Sequence, residues 1–133
     1  MTSVRLIHSA LLKHADYADA AVVPSGSEVV FLAGACPLDD SGATVAPGDV
    51  AAQTRRALHN MEVALSDSAA SITDVVFIRV LVASNRREDL GAAWSVVRER
   101  FGAHQVPATL QGVTVLGYPD QLVEIEPVAV RAP

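Results

Sequence analysis

Two carboxylates stand near the end of the chain in the run Val123-Glu124-Ile125-Glu126, each alternating with an apolar residue. A strand with that pattern projects both acids from one face and both hydrophobes from the other. A carboxylate in a partly apolar cleft can orient a water or take its proton, which makes Glu124 a candidate general base for hydrolysis. The plainer alternative, a solvated strand residue or an interface ion pair, stays open for Glu124 and more so for Glu126. Thr109 and Gln111 lie two apart in the run Ala108 to Val115 and would share a strand face. Together they could form a neutral polar floor for a carbonyl or amide, or simply a cross-strand polar pair. Tyr17 could donate a hydrogen bond to a ligand or pack as a half-buried aromatic. Cys36 has no His or Lys beside it in sequence to lower its pKa, so it reads as a passive thiol. His8, His14, His59 and His104 are dispersed, with no pair at a ligating spacing such as i, i+4, so a metal site is not expected. No phosphate-cradling glycine loop and no Gly-x-Ser-x-Gly elbow occurs, and no cofactor is implied.

The elements that must carry these residues follow from periodicity. Val4 to Ser9 suits a short edge strand. Ala18 to Val23 and Glu28 to Ala33, separated by Pro24-Ser25-Gly26-Ser27, read as a hairpin whose second strand ends at Gly34. Pro47-Gly48-Asp49 opens a helix with Asp49 as N-cap and an apolar face at Val50, Thr54, Ala57, Leu58, Met61 and Leu65. Val75 to Val82 is apolar on nearly every residue, as a central strand would be. A second helix, capped by Ser84 or Asn85, puts Leu90, Ala93, Trp94, Val97 and Phe101 on one face before Gly102 stops it. Trp94 at that spacing is a core residue. Ala108 to Val115 and Leu122 to Val130 are two further strands joined by the turn Gly117-Tyr118-Pro119-Asp120. The order is ββαβαββ with a short extra strand in front, an α+β domain spanning residues 1–133. Two helices cover only one face of such a sheet, and another copy of the chain is the simplest cover for the other.

Composition narrows the partners. At 133 residues a chain can bury roughly two thirds of its unfolded surface, enough for one core. Half of the residues are hydrophobic but only 5% are aromatic, which suits close helix-on-sheet packing. The mean hydropathy of +0.31 is high for a small domain without a bilayer-length apolar run, and subunit interfaces account for the surplus. A net charge of −5 with 10 scattered Lys and Arg gives no patch to neutralise phosphates, so nucleic acid is not an expected partner. One cysteine allows no internal disulfide, and no signal-peptide core is complete, both compatible with a cytoplasmic location.

Several stretches together resemble the Rid (YjgF) family: Phe31 to Pro37, the helix entry Asp49 to Thr54, Val106-Pro107-Ala108, and Val123 to Val130. The likeness covers nearly the whole chain, and the closing "EIE-x-x-AV" strand is its most specific part. It implies a chorismate-mutase-like fold, a mixed six-stranded sheet with two helices on one face, and a homotrimer with pockets between subunits. It also implies site residues. Glu124 matches the glutamate that positions the hydrolytic water, and Tyr17 matches a pocket tyrosine. Ala33 stands where the family has a serine before the strand-ending Gly34. Thr109 stands where active members carry an arginine that clamps a substrate carboxylate. A threonine makes one neutral hydrogen bond where a guanidinium makes a charged bidentate pair, a loss of roughly 1.5–3 kcal/mol.

The expected function is therefore a trimer that binds a small metabolite in intersubunit clefts and hydrolyses an imine- or enamine-like C=N bond through Glu124. Standard 2-imino-acid deamination is not expected of Thr109. The rival reading is a non-catalytic metabolite-binding or regulatory trimer, in which Glu124 needs no room for a water. An endoribonuclease or translation inhibitor ranks last because of the acidic balance.

Overall fold

A computed structural model describes residues 4–14 and 16–133. The elements are β1 (Arg5–Ile7), β2 (Ala20–Val22), β3 (Glu28–Phe31), α1 (Val50–Asp67), a single 3-10 turn (Ile72–Asp74), β4 (Val75–Val82), α2 (Arg87–Phe101), β5 (Ala108–Gly112) and β6 (Val123–Arg131). The six strands and two helices read from sequence are present. Their hydrogen bonding divides them into an antiparallel pair β1–β2 and a mixed four-stranded sheet in the order β3-β6-β4-β5. β5 runs parallel to β4, as a crossover through α2 requires, and the other pairings are antiparallel.

The expected hairpin between residues 18–23 and 28–33 does not form. Pro24 to Ser27 does turn, with Gly26 at φ 85° and the Ser27 N–H on the Pro24 carbonyl at 3.3 Å. β2 nevertheless pairs with β1, and β3 pairs with β6, Val29 facing Val130 and Phe31 facing Val128. A nine-residue β6 gives β3 a full ladder that the three-residue β2 cannot, so the long-range pairing wins over the local one.

Both helices begin where polar side chains can satisfy free N–H groups. The Asp49 carboxylate accepts from Ala52 N–H at 2.9 Å. At α2 the capping position falls on Arg86, and Ser84 serves it from upstream: its hydroxyl accepts from Arg86 N–H at 3.0 Å and donates to Asp89 at 2.6 Å. Gly102, at φ 56°, ends α2. The buried stripe of α1 (Ala57, Leu58, Met61, Leu65) and that of α2 (Ala93, Val97, Phe101) cover one sheet face, where Ile78, Val80, Val82, Val123, Ile125 and Ala129 are inaccessible or nearly so.

Among the described residues the other face carries no helix. Register places Glu126, Arg79 and Thr109 in one row across β6, β4 and β5, and Glu124, Leu81 and Gln111 in the next. Phe31, 81% exposed, and Val29 extend it with bare apolar surface.

Besides a register shift between Val75 and Phe77 of β4, one irregularity shapes the sheet beside the candidate residues. Phe31 pairs with Val128, but the next link from that segment is Ala35 with Ile125, so Leu32, Ala33 and Gly34 oppose only Glu126 and Pro127. This is a one-residue bulge. Ile125 N–H and C=O both bond Ala35, so the backbone of Pro127, two residues on, faces the same side, toward the opened ladder. A proline survives in this interior strand because its missing N–H points into the bulge.

Gln53 ties α1 to the approach of β6. Wholly buried, it donates to the Asp120 carbonyl at 2.9 Å and the Ala46 carbonyl at 3.3 Å, and accepts from Leu122 N–H at 2.7 Å. Gln53→Ala should cost about 2–3 kcal/mol in urea unfolding, because buried main-chain groups lose their partners. Asp49→Ala should cost about 1 kcal/mol. Equal losses would mean that the Gln53 amide does not hold this loop.

Candidate functional site

The bulge sets Gly34 and Cys36 beside Glu124 on the helix-free face. A side chain at Gly34 would collide with the Glu124 carboxylate, so only glycine leaves room for it to lie flat there. Two neutral donors converge on one carboxylate oxygen: Cys36 Sγ at 3.3 Å and Gln121 Nε2 at 3.2 Å both reach Glu124 Oε1. Oε2 is the oxygen turned over Gly34.

Each donor is held by the fold. Cys36 sits in a loop whose carbonyls at Cys36 and Leu38 accept from Asn60 of α1 at 2.8 and 2.9 Å, with Arg56 Nε also on Leu38. Gln121 is buried, accepts from Tyr118 N–H at 3.0 Å, and gives its second N–H bond to the Val123 carbonyl at 3.1 Å. Burial first, and then the neighbouring carboxylate, push the Cys36 thiol up to about 11. The thiol is therefore a proton donor to Glu124 at neutral pH and not a nucleophile. A hollow of about 290 Å³ opens beside this cluster, lined by Leu32, Ala33, Gly34, Cys36, Asn60 and Tyr118 among others.

The remaining residues picked from sequence are spread over the same sheet. Gln111 shares Glu124's row across Leu81, two strands away, and Thr109 shares the row of Arg79 and Glu126; both are exposed. Glu126 makes an ion pair with Arg79 of the neighbouring strand at 3.4 Å, within the chain and not across an interface. Tyr17 lies beyond β5 on the helix side, edge-on to Trp94, and its ring is stacked on His14 at 4.0 Å. His14 is fixed in turn by Asp19 at 2.5 Å. The Ser9 N–H first, then His14, hold the Asp19 carboxyl below its usual range. Tyr17, Trp94, Ala108 and Leu110 line a depression of about 240 Å³. One chain thus joins Glu124 with Ala33 and Gly34 but leaves Tyr17 on the opposite side of the sheet. A larger depression of about 680 Å³, beside Arg86 and Gly112, is lined by none of these candidates.

Sequence reading missed the second donor, Gln121, and the direct contact of Cys36 with Glu124. The signal for Gln121 was faint: a lone amide three residues before Glu124, between a turn and a strand. For Cys36 the reading looked for a basic neighbour, whereas the neighbour that matters is an acid 88 positions away.

The family model described as Endoribonuclease L-PSP matches residues 7–131. The chain belongs to the Rid (YjgF) family. A curated Rid relative, the 3-aminoacrylate deaminase RutC of Acinetobacter baylyi, is 35% identical over 101 residues, 76% of this chain and 78% of that one. Among solved Rid structures, YyfB from Yersinia pestis, a protein of unknown function, superposes with a TM-score of 0.88 at 27% identity, covering 96% of this chain and 98% of that one. Escherichia coli TdcF with bound serine gives 0.69 at 26% identity, covering 96% and 99%. These matches agree with the two helices and mixed sheet described above.

The raised thiol pKa has a measurable consequence. Alkylation of Cys36 by iodoacetamide should be slow at pH 7–8 and climb toward pH 11. Glu124→Gln removes the adjacent negative charge and should move that profile toward lower pH while leaving the burial contribution in place. The folded chain holds the proton that an unfolded thiol releases near its ordinary pKa of 9.0, so this contribution to stability is intact below about pH 9 and is lost as pH rises through 11. Rapid alkylation at pH 7 would contradict the Cys36–Glu124 contact.

Proposed function

We propose that this Rid-family chain forms a homotrimer whose intersubunit clefts bind a small metabolite and hydrolyse an imine or enamine, with Glu124 as the base that handles the water. The observation that carries the reading is the state of the Glu124 side chain. Cys36 and Gln121 hold one oxygen, and the other lies against Gly34, which also lines the neighbouring hollow of about 290 Å³ where a water and a small planar C=N group would enter. In the step itself, water oxygen adds to the C=N carbon while Glu124 takes its proton. That proton passes to the nitrogen to give a carbinolamine; Glu124 then takes the hydroxyl proton and delivers it to the amino nitrogen as C=O forms and the C–N bond breaks, releasing a carbonyl compound and ammonia. An enamine enters by first taking a proton on carbon to become the imine. The deaminase relative RutC supports this reaction type, and the helix-free sheet face with exposed Phe31 and Val29 supports assembly around that face. The cleft would also bring Tyr17 of one copy within reach of a neighbour's Glu124, which a single chain does not do. Thr109 supplies a hydroxyl and no charge, so β5 itself does not fix a substrate carboxylate as an arginine there would.

Glu124→Gln should lower turnover of the freshly generated imine of a neutral ketone by about 100-fold or more while the protein melts normally. Unchanged turnover would overturn the assignment of the base. Native mass spectrometry should give three chains per particle, and a stable monomer would remove the cleft.

A further inference from the structure

We infer that Arg79, on β4, is the group that recognises an anionic substrate in this site, reaching the ligand from the strand next to Thr109. This rests on the reading that the helix-free face opens onto the ligand cleft. Arg79 stands directly opposite Thr109 on one side and Glu126 on the other. The sheet's other arginine, Arg131, is at the far end of β6 and pairs with Glu28. Arg79 therefore brings positive charge to the patch formed by Thr109, Gln111 and Glu124.

Its present engagement is light. The guanidinium meets Glu126 through one nitrogen at 3.4 Å, and the two side chains are 44% and 40% exposed. An exposed pair of that geometry contributes little and is easily exchanged. The guanidinium also lies 5.8 Å from the centre of the Phe77 ring, which holds the stem against the sheet without using the remaining N–H groups. A ligand carboxylate could take the two-pronged contact that Glu126 does not make, with the Thr109 hydroxyl donating a third bond.

The geometry suits a short acid. Neighbouring strands lie about 5 Å apart and same-face residues about 7 Å apart along a strand, so Arg79 and Glu124 are diagonal neighbours. A carboxylate on Arg79 would put a carbon one or two bonds away in the direction of Glu124's row, where the proposed base stands. The charge needed for a small imino or enamino acid would thus come from β4, and Thr109 would be its neutral companion.

The test is calorimetric binding of 2-oxobutyrate, a product-like acid, and of its neutral amide to the full-length protein. Wild type should prefer the acid by about tenfold or more. Arg79→Gln should weaken acid binding by about 10- to 100-fold and leave the amide unchanged, with Arg79→Lys restoring part of the loss. Glu126→Gln removes the competing carboxylate and should tighten acid binding by about two- to fivefold, a gain that a merely structural ion pair would not produce. Equal affinity for acid and amide in wild type, no acid binding at millimolar concentration, or an Arg79→Gln variant that keeps the preference would each overturn the inference. If Arg79→Gln fails to fold, the wild-type acid preference and the Glu126→Gln gain decide it together, and absence of either overturns it. The readout does not involve turnover. A protein that selects the acid through Arg79 but hydrolyses no imine would refute the proposed reaction alone, and one that hydrolyses imines without this preference would refute the inference alone.

Discussion

A proline in the middle of an interior strand sits where the β3–β6 ladder opens, and the site is built around that opening. Pro127 cannot donate to a neighbour, so the segment after β3 leaves the ladder at Leu32 and rejoins it at Ala35 with one residue to spare. The surplus brings Gly34 against the Glu124 side chain, and the rejoining pair puts Cys36 beside it. A regular ladder would have kept these residues in step and left the carboxylate standing free on a flat face.

Neutral donors hold that carboxylate, which matters for what it can do. A lysine or arginine at the same distance would tie up the charge, whereas a thiol and an amide orient one oxygen and leave the charge on the other available. Cys36 is tuned for this role by the same contact, since burial and the acid together keep it protonated. The fold invests in both donors: two side chains of α1 hold the Cys36 loop, and buried Gln53 fixes the turn that delivers Gln121.

Membership of the Rid family and the superposition on YyfB agree with the architecture. Charge on the helix-free face lies on β4 and β6, in Arg79, Glu124 and Glu126, and β5 contributes hydroxyl and amide.

By itself the sequence determined the elements and their faces. The spacing of α1, the cap at Asp49, the stop at Gly102, and the alternation that puts Glu124 and Glu126 opposite Val123 and Ile125 were all legible, because each depends on residues within one or two turns of one another. The family likeness was legible for the same reason, as it rests on short continuous runs. Pairing was not. The turn at Pro24–Ser27 pointed to a hairpin, and only the competition for β6 showed that β3 pairs with the end of the chain. Nor could spacing along the chain reveal that Cys36 and Gln121 share one oxygen of Glu124, or that Tyr17 packs on the far side of the sheet, because those contacts join segments far apart in the chain and exist only once the strands have found their order.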